Sequence, residues 1–116
     1  MTDLKRGDVI LVWFPNGDLK TFKRRPALVI QADDLLTGLP QVVAAMITSN
    51  LARSGHPSRV FIPLQSPKAE GTGLRTDSVI MTDNLATILH SAVAQKLGCL
   101  PSLTEVNQAL RATLGL

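Results

Sequence analysis

A small, mainly β fold, a barrel closed off by one C-terminal helix, is predicted by three features of the sequence. Short runs rich in Val, Ile and Leu recur along the chain, each ended by Gly, Pro, Ser or Asn. Only after Pro101 does the apolar period become helical. A length of 116 residues, 45% hydrophobic and 18% charged, is ordinary composition for one compact domain, taken as residues 1–116.

In chain order, residues 8–14 are an almost unbroken apolar run that includes Trp13, which predicts a buried strand, and Pro15-Asn16-Gly17-Asp18 follows with turn chemistry. Residues 19–25 are too polar for a core and read as a basic loop. Pro26 then feeds a second strand at 27–31. Further strands are expected at 42–47, 59–64 and 77–81, with another at 86–89, so five or six short strands make up the barrel. The stretches 49–58 and 65–76, rich in Gly, Ser and Pro, read as long loops. A short helical stretch is expected at 91–97. Ser102 and Glu105 form a capping-box pattern, with Leu103, Val106, Leu110 and Leu114 at helical spacing up to Gly115.

The bulk properties narrow the function classes. The longest apolar runs are far too short to span a bilayer and no signal peptide opens the chain, so a soluble, cytoplasmic protein is expected. The single cysteine, Cys99, cannot form an internal disulfide and reads as a small buried hydrophobe. Two histidines, His56 and His90, and one cysteine show no metal-ligand spacing, so neither a metal nor another cofactor is expected. Net charge is only +3, yet Lys20, Lys23, Arg24 and Arg25 fall within six positions, which favours a polyanionic partner. A domain this small leaves much surface unburied, and a homodimer is expected.

Two strand boundaries carry the chemistry. In Lys23-Arg24-Arg25-Pro26-Ala27-Leu28-Val29-Ile30 a basic segment ends at a proline and enters a strand, which fixes a guanidinium at the barrel rim. Arginine offers planar, two-pronged donors suited to phosphate oxygens, although a solvated basic loop has the same composition. In Ala44-Ala45-Met46-Ile47-Thr48-Ser49-Asn50 a strand leaves the core and presents hydroxyls and an amide. Thr48 is able to bond a phosphate or ribose, or merely to cap its own loop. Arg53, His56 and Arg75 lie in the two long loops, where RNA contact and plain surface exposure are both open readings. Phe22, between Lys20 and Lys23, has the setting of a stacking platform for an unpaired base, or of an anchor for the loop.

Taken in order, Arg25-Pro26 with Leu28-Val29-Ile30, the apolar strand ending Ile47-Thr48, Gly73-Leu74-Arg75-Thr76-Asp77-Ser78-Val79-Ile80, and Ala86-Thr87-Ile88 resemble the successive motifs of the MazF/PemK toxins. Lys5-Arg6-Gly7-Asp8-Val9 fits as well, so the resemblance spans about residues 5–90. It implies a homodimeric SH3-like barrel of the MazF/Kid/CcdB toxin type and a metal-independent endoribonuclease acting on single-stranded RNA. The substrate's own 2′-OH would attack the adjacent phosphate and leave 2′,3′-cyclic phosphate and 5′-OH ends. The same resemblance implies a cognate antitoxin that lays an acidic, disordered segment across the groove lined by residues 20–25.

Carried over residue by residue, the family's catalytic arginine is Arg25 and its threonine is Thr48. The chain departs from the Kid/PemK branch, whose Arg-x-Asp pair is here Met81-Thr82-Asp83, and from members with arginine in place of Ala86. Asp83 is thus the matched acid–base candidate and Asp77 the next. RNA contacts are expected from Lys20, Phe22, Lys23, Arg24, Ser49, Asn50, Arg53, His56, Arg75 and Asp77. Two alternatives remain open at this level: a CcdB-like toxin that binds gyrase and does no chemistry, and a non-catalytic RNA-binding relative.

Overall fold

Apolar residues fill alternate and often successive positions of the first three strands because both faces of these strands are covered. In the computed structural model, which describes residues 3–116, these are β1 (Asp8–Pro15), β2 (Phe22–Val29) and β3 (Gln41–Thr48). They are followed by β4 (Arg59–Ile62), β5 (Ser78–Leu89), β6 (Val93–Cys99) and α1 (Thr104–Leu114). Val9, Leu28, Ala45, Ile47 and Ile80 point to one core, completed by Val106 and Ala109 of α1. Ile10, Val12, Phe14, Ala27, Val29, Val42, Ala44 and Ile88 form a second. Burying a side chain such as Phe14 or Leu28 stabilises by roughly 1.5–3 kcal/mol, against ~0–1 kcal/mol for an exposed ion pair, so these two cores hold the fold.

The strands form one sheet in the order β4-β5-β3-β2-β1-β6, with antiparallel neighbours. It is mainly β with a C-terminal helix, as the sequence predicts, but β4 and β6 remain edges and the barrel is open. The loop leaving β4 crosses towards the far edge, where Gly71 accepts a bond from the Cys99 amide at 2.9 Å. A Cβ on Gly98 would run into the Gly71 carbonyl, so this approach requires glycine.

Several boundaries correct the sequence reading. Residues 22–25 are the first half of β2, not a loop, and pair with β1 from Val12↔Arg25 to Pro15↔Phe22. Because β3 joins β2 only from Ala27, this half of β2 has solvent on its other edge, which is why polar residues occupy it. Residues 78–89 are one strand rather than two. Its register against β3 jumps from Leu85↔Ala45 to Met81↔Met46, so Thr82, Asp83 and Asn84 form a bulge. The stretch expected as a helix at 91–97 is mostly β6, an edge strand whose exposed polar positions break the alternating pattern, and Cys99 at its end, expected as a small buried hydrophobe, is exposed.

The Ser102–Glu105 capping box does not form. Leu103 is the N-cap, Ser102 Oγ accepts weakly from the Thr104 amide at 3.3 Å, and Glu105 pairs with Lys68 at 2.8 Å. Leu114 is exposed, and the helix closes on left-handed Gly115. Trp13, expected inside a buried strand, is 51% exposed because it leaves the sheet on the face opposite buried Val12 and Phe14, where no core covers this end of β1. No helix among the described residues is long and apolar enough to cross a membrane.

Candidate active site

The β1–β2 hairpin places the arginine. Its turn is rigid: Asp18 Oδ1 accepts from the amides of Lys20 (2.9 Å) and Thr21 (3.0 Å), and Asn16 Nδ2 donates to Thr21 Oγ1 at 2.9 Å. Those bonds hold the Asp18 carboxyl below its ordinary range, with the Thr21 amide contributing most. Leu19 adopts a left-handed φ of 60° to close the turn. Asn16 then uses its Oδ1 to accept from Arg25 Nη2 at 3.1 Å, which steers the guanidinium. The Arg25 Nε is buried and has no acceptor. A buried charged donor without a partner is costly, so this side chain carries bonding capacity that the fold leaves unused.

Thr48 is brought to the same end of the sheet by register. The β2–β3 ladder ends at the Ala27↔Met46 pair, so Arg25 and Thr48 each lie two residues beyond it, where the two strands part. Both also leave the sheet on one face, because Arg25 is in phase with Ala27 and Val29, and Thr48 with Met46 and Ala44, all around the second core. Thr48 Oγ1 accepts from the Asn50 amide at 3.1 Å and keeps its proton free to donate. Asn50 in turn caps the short 3-10 turn Leu51–Arg53, accepting from the Ala52 amide at 3.2 Å.

The structure groups some of the candidates and separates others. Thr48 pairs with Val79 of β5, so Asp77 and exposed Arg75, just before that strand, lie at the same end of the sheet as Thr48, Ser49 and Asn50. Asp77 Oδ1 accepts from the Leu64 amide at 2.7 Å. Lys20, Phe22, Lys23 and Arg24 are exposed along the hairpin that carries Arg25. Asp83 lies further along β5, in the bulge, where Arg59 Nη2 donates to its Oδ2 at 2.7 Å and Arg59 Nε to its Oδ1 at 3.3 Å. Arg59 depresses the Asp83 carboxyl below its ordinary value, and Asp83 raises Arg59.

Arg59 also donates to the Arg53 carbonyl at 3.2 Å, so the pair anchors the loop before β4. Within that loop His56 Nδ1 accepts from the Ser58 amide at 3.1 Å. The bulge itself is fixed by buried Thr82, whose hydroxyl donates to the Ser58 carbonyl at 2.6 Å and lies 2.8 Å from Thr113 Oγ1 of α1. His90 sits in a short turn, with its amide donating to the Pro40 carbonyl at 2.9 Å.

The parts of Asn16 and Arg59 at the site escape the sequence reading. Asn16 and Arg59 act on a candidate through contacts that cross strands. Only the placement of Arg59 at a strand start, after a loop rich in polar residues, hints at its part. Among the described residues no group of three or more His, Cys, Asp or Glu side chains is placed to hold a metal ion.

The family model for the PemK-like, MazF-like toxin of type II toxin-antitoxin systems matches residues 5–114. The chain is 38% identical over 105 residues to endoribonuclease MazF6 of Mycobacterium tuberculosis, covering 88% of this chain and 87% of the relative, and equally similar to endoribonuclease MazF2 of Mycobacterium bovis. Among solved structures, an endoribonuclease from a mycobacterial species superposes with a TM-score of 0.73 at 24% identity, covering 100% of this chain and 95% of that one. A MazF from Deinococcus radiodurans gives 0.70 at 25% identity, covering 100% and 99%. Matched from its first strand to its last helix, the chain belongs to the PemK-like, MazF-like toxins of type II toxin-antitoxin systems.

Proposed function

We propose that this chain is an endoribonuclease toxin in which Arg25 and Thr48 cut single-stranded RNA through the substrate's own 2′-OH. The observation that supports this most is the Arg25 guanidinium, steered by Asn16 and holding a buried, unpartnered Nε, at the same end of the β2–β3 ladder as Thr48. The 2′-oxygen bonds to phosphorus as the bond to the 5′-oxygen breaks, giving a 2′,3′-cyclic phosphate and a 5′-OH. Arg25 neutralises the charge that builds on the phosphorane oxygens, as a preorganised cation at a protected rim does. Thr48 donates to a phosphate oxygen and keeps the 2′-OH in line.

A proton must leave the 2′-OH, and a base for that purpose needs a pKa near the working pH. Asp83, matched to the family's acid–base position, is bound by Arg59 and has its carboxyl depressed, so holding the bulge suits it better than taking a proton. Asp77 lies at the Thr48 end of β5 and has one oxygen outside its bond to Leu64, which makes it the better-placed carboxylate.

Lys20, Lys23 and Arg24 supply the polyanion-binding field along the hairpin. The same cations suit an acidic antitoxin segment, and one of the similar mycobacterial structures is an endoribonuclease with its cognate antitoxin. Action in the cytoplasm, as a homodimer, completes the reading. Incubating the purified chain with a long unstructured RNA in EDTA tests it. Cyclic-phosphate and 5′-OH ends are the expected products; intact RNA, or 5′-phosphate ends, would overturn the mechanism.

A further inference from the structure

The hairpin carries a second feature on the face opposite Arg25. In the β1–β2 ladder Trp13 pairs with Arg24 and Pro15 with Phe22, so by strand alternation these four side chains leave from one side. Trp13 is 51% and Phe22 57% exposed, while Val12 and Phe14 beside Trp13 are buried. The core therefore does not use either ring. Trp13, Pro15 and Phe22 line an open cleft of about 440 Å³ whose far wall is Ala86, Leu89 and Ala92.

Given the ribonuclease reading above, we propose that this cleft is a base-stacking subsite, in which Trp13 and Phe22 take an unpaired nucleobase of the RNA substrate from beyond the scissile phosphate. Two arguments select this occupant. Arg24 leaves the hairpin on the same face as the two rings, and none of the ion pairs among the described residues involves it, so an unneutralised cation stands beside the cleft. A purely apolar protein surface would match the rings but cover that cation without a counter-charge, whereas a nucleotide brings a π-face and a phosphate together. The second argument is position on the hairpin. Trp13 and Arg24 are each one residue from the Val12↔Arg25 pair but on its other face, so RNA bound at Arg25 that passes round the free edge of β2 brings a base from beyond the cut to the rings. Trp13 thereby becomes a residue that sets a base preference near the cleavage point.

The chain has a single tryptophan, so its intrinsic fluorescence reports this cleft alone. A short RNA carrying one 2′-deoxyribose at the cut site is titrated into the protein, and binding is followed in parallel by anisotropy of a label on the RNA. Saturable quenching of Trp13 on the binding curve is the expected result, lost at one position when the nucleotides near the cut are made abasic in turn. Steady-state cleavage supplies the second reading. Trp13→Leu keeps the apolar volume but loses stacking and is expected to raise KM about tenfold or more with kcat little changed, while Trp13→Phe stays within a few fold of the parent. Unaltered fluorescence at full RNA occupancy, or Trp13→Leu with normal KM, overturns the proposal while leaving cleavage by Arg25 intact. So does a Trp13→Leu variant that loses self-association yet binds RNA normally, because the cleft then belongs to a second copy of the chain. Failure of the ribonuclease reading itself would show differently, as absence of any cutting by the parent protein.

Discussion

Two guanidiniums at opposite ends of the candidate region differ in how completely the fold uses them. Arg59 at the start of β4 is spent: it grips both oxygens of Asp83 and the Arg53 carbonyl, which ties the loop before β4 to the bulge of β5. Arg25 in β2 makes one bond, to Asn16, and keeps a buried Nε without an acceptor. The first arginine is built into the scaffold, and the second is the one proposed to receive an anion. Composition cannot distinguish them, since each follows a polar stretch and leads into an apolar strand.

That contrast is sharpened most by removing Arg25. Arg25→Ala is expected to lower kcat by about a hundredfold or more, as loss of one preorganised transition-state donor does, with the melting temperature unchanged or higher because an unsatisfied buried group is gone. Arg25→Lys should rescue little of the rate, since an ammonium cannot reproduce two-pronged contact. Thr48→Ala should cost less than Arg25→Ala, a neutral donor being weaker than a charged one. Single-turnover kinetics on one RNA ranks all three. Asn16→Ala releases the guanidinium from its steering bond, and a loss of roughly two- to tenfold in kcat is expected, in line with one neutral side chain's contribution.

Arg59→Ala should reverse the pattern, lowering the melting temperature more than the chemical rate. A large fall in rate with an unchanged melt would erase the distinction between the two arginines. The smallest effect concerns pH. The Asp83 carboxyl is depressed by Arg59, so its stabilisation is fully present above the ordinary carboxylate range and is lost as pH falls through the lower folded value. The difference in melting temperature between the parent and Asp83→Asn should therefore be present at neutral pH and shrink below about pH 4. Thermal melts across that range check the sign.

The same two regions show what the sequence makes legible. Buried strands such as β1 and β3 announce themselves because both faces meet a core, and the helix is visible through Val106 and its neighbours. Thr48 was readable as a strand end, whereas Arg25 lies within β2, and both were singled out through the resemblance of their motifs. Harder to see were the stretches where one edge or face meets solvent. Residues 22–25 look like a loop because half of β2 lacks a β3 partner, and β6 looks helical because it is an edge strand with polar outer positions. Trp13 looks buried because a run of apolar letters does not show which face of a strand is left uncovered. The bulge at Thr82–Asn84 depends on pairing with β3, and the Arg59–Asp83 bond spans 24 residues, so neither leaves a local trace.

The central claim is that the substrate supplies the nucleophile while Arg25 and Thr48 receive the charge. The most direct measurement replaces the single ribose at a mapped cut site by 2′-deoxyribose and follows cleavage of that RNA by the parent protein in EDTA. Binding with normal affinity and no cutting at the substituted position is the expected result. Cutting there at the normal rate would contradict the account, because the attacking oxygen would then have to come from water or from the protein.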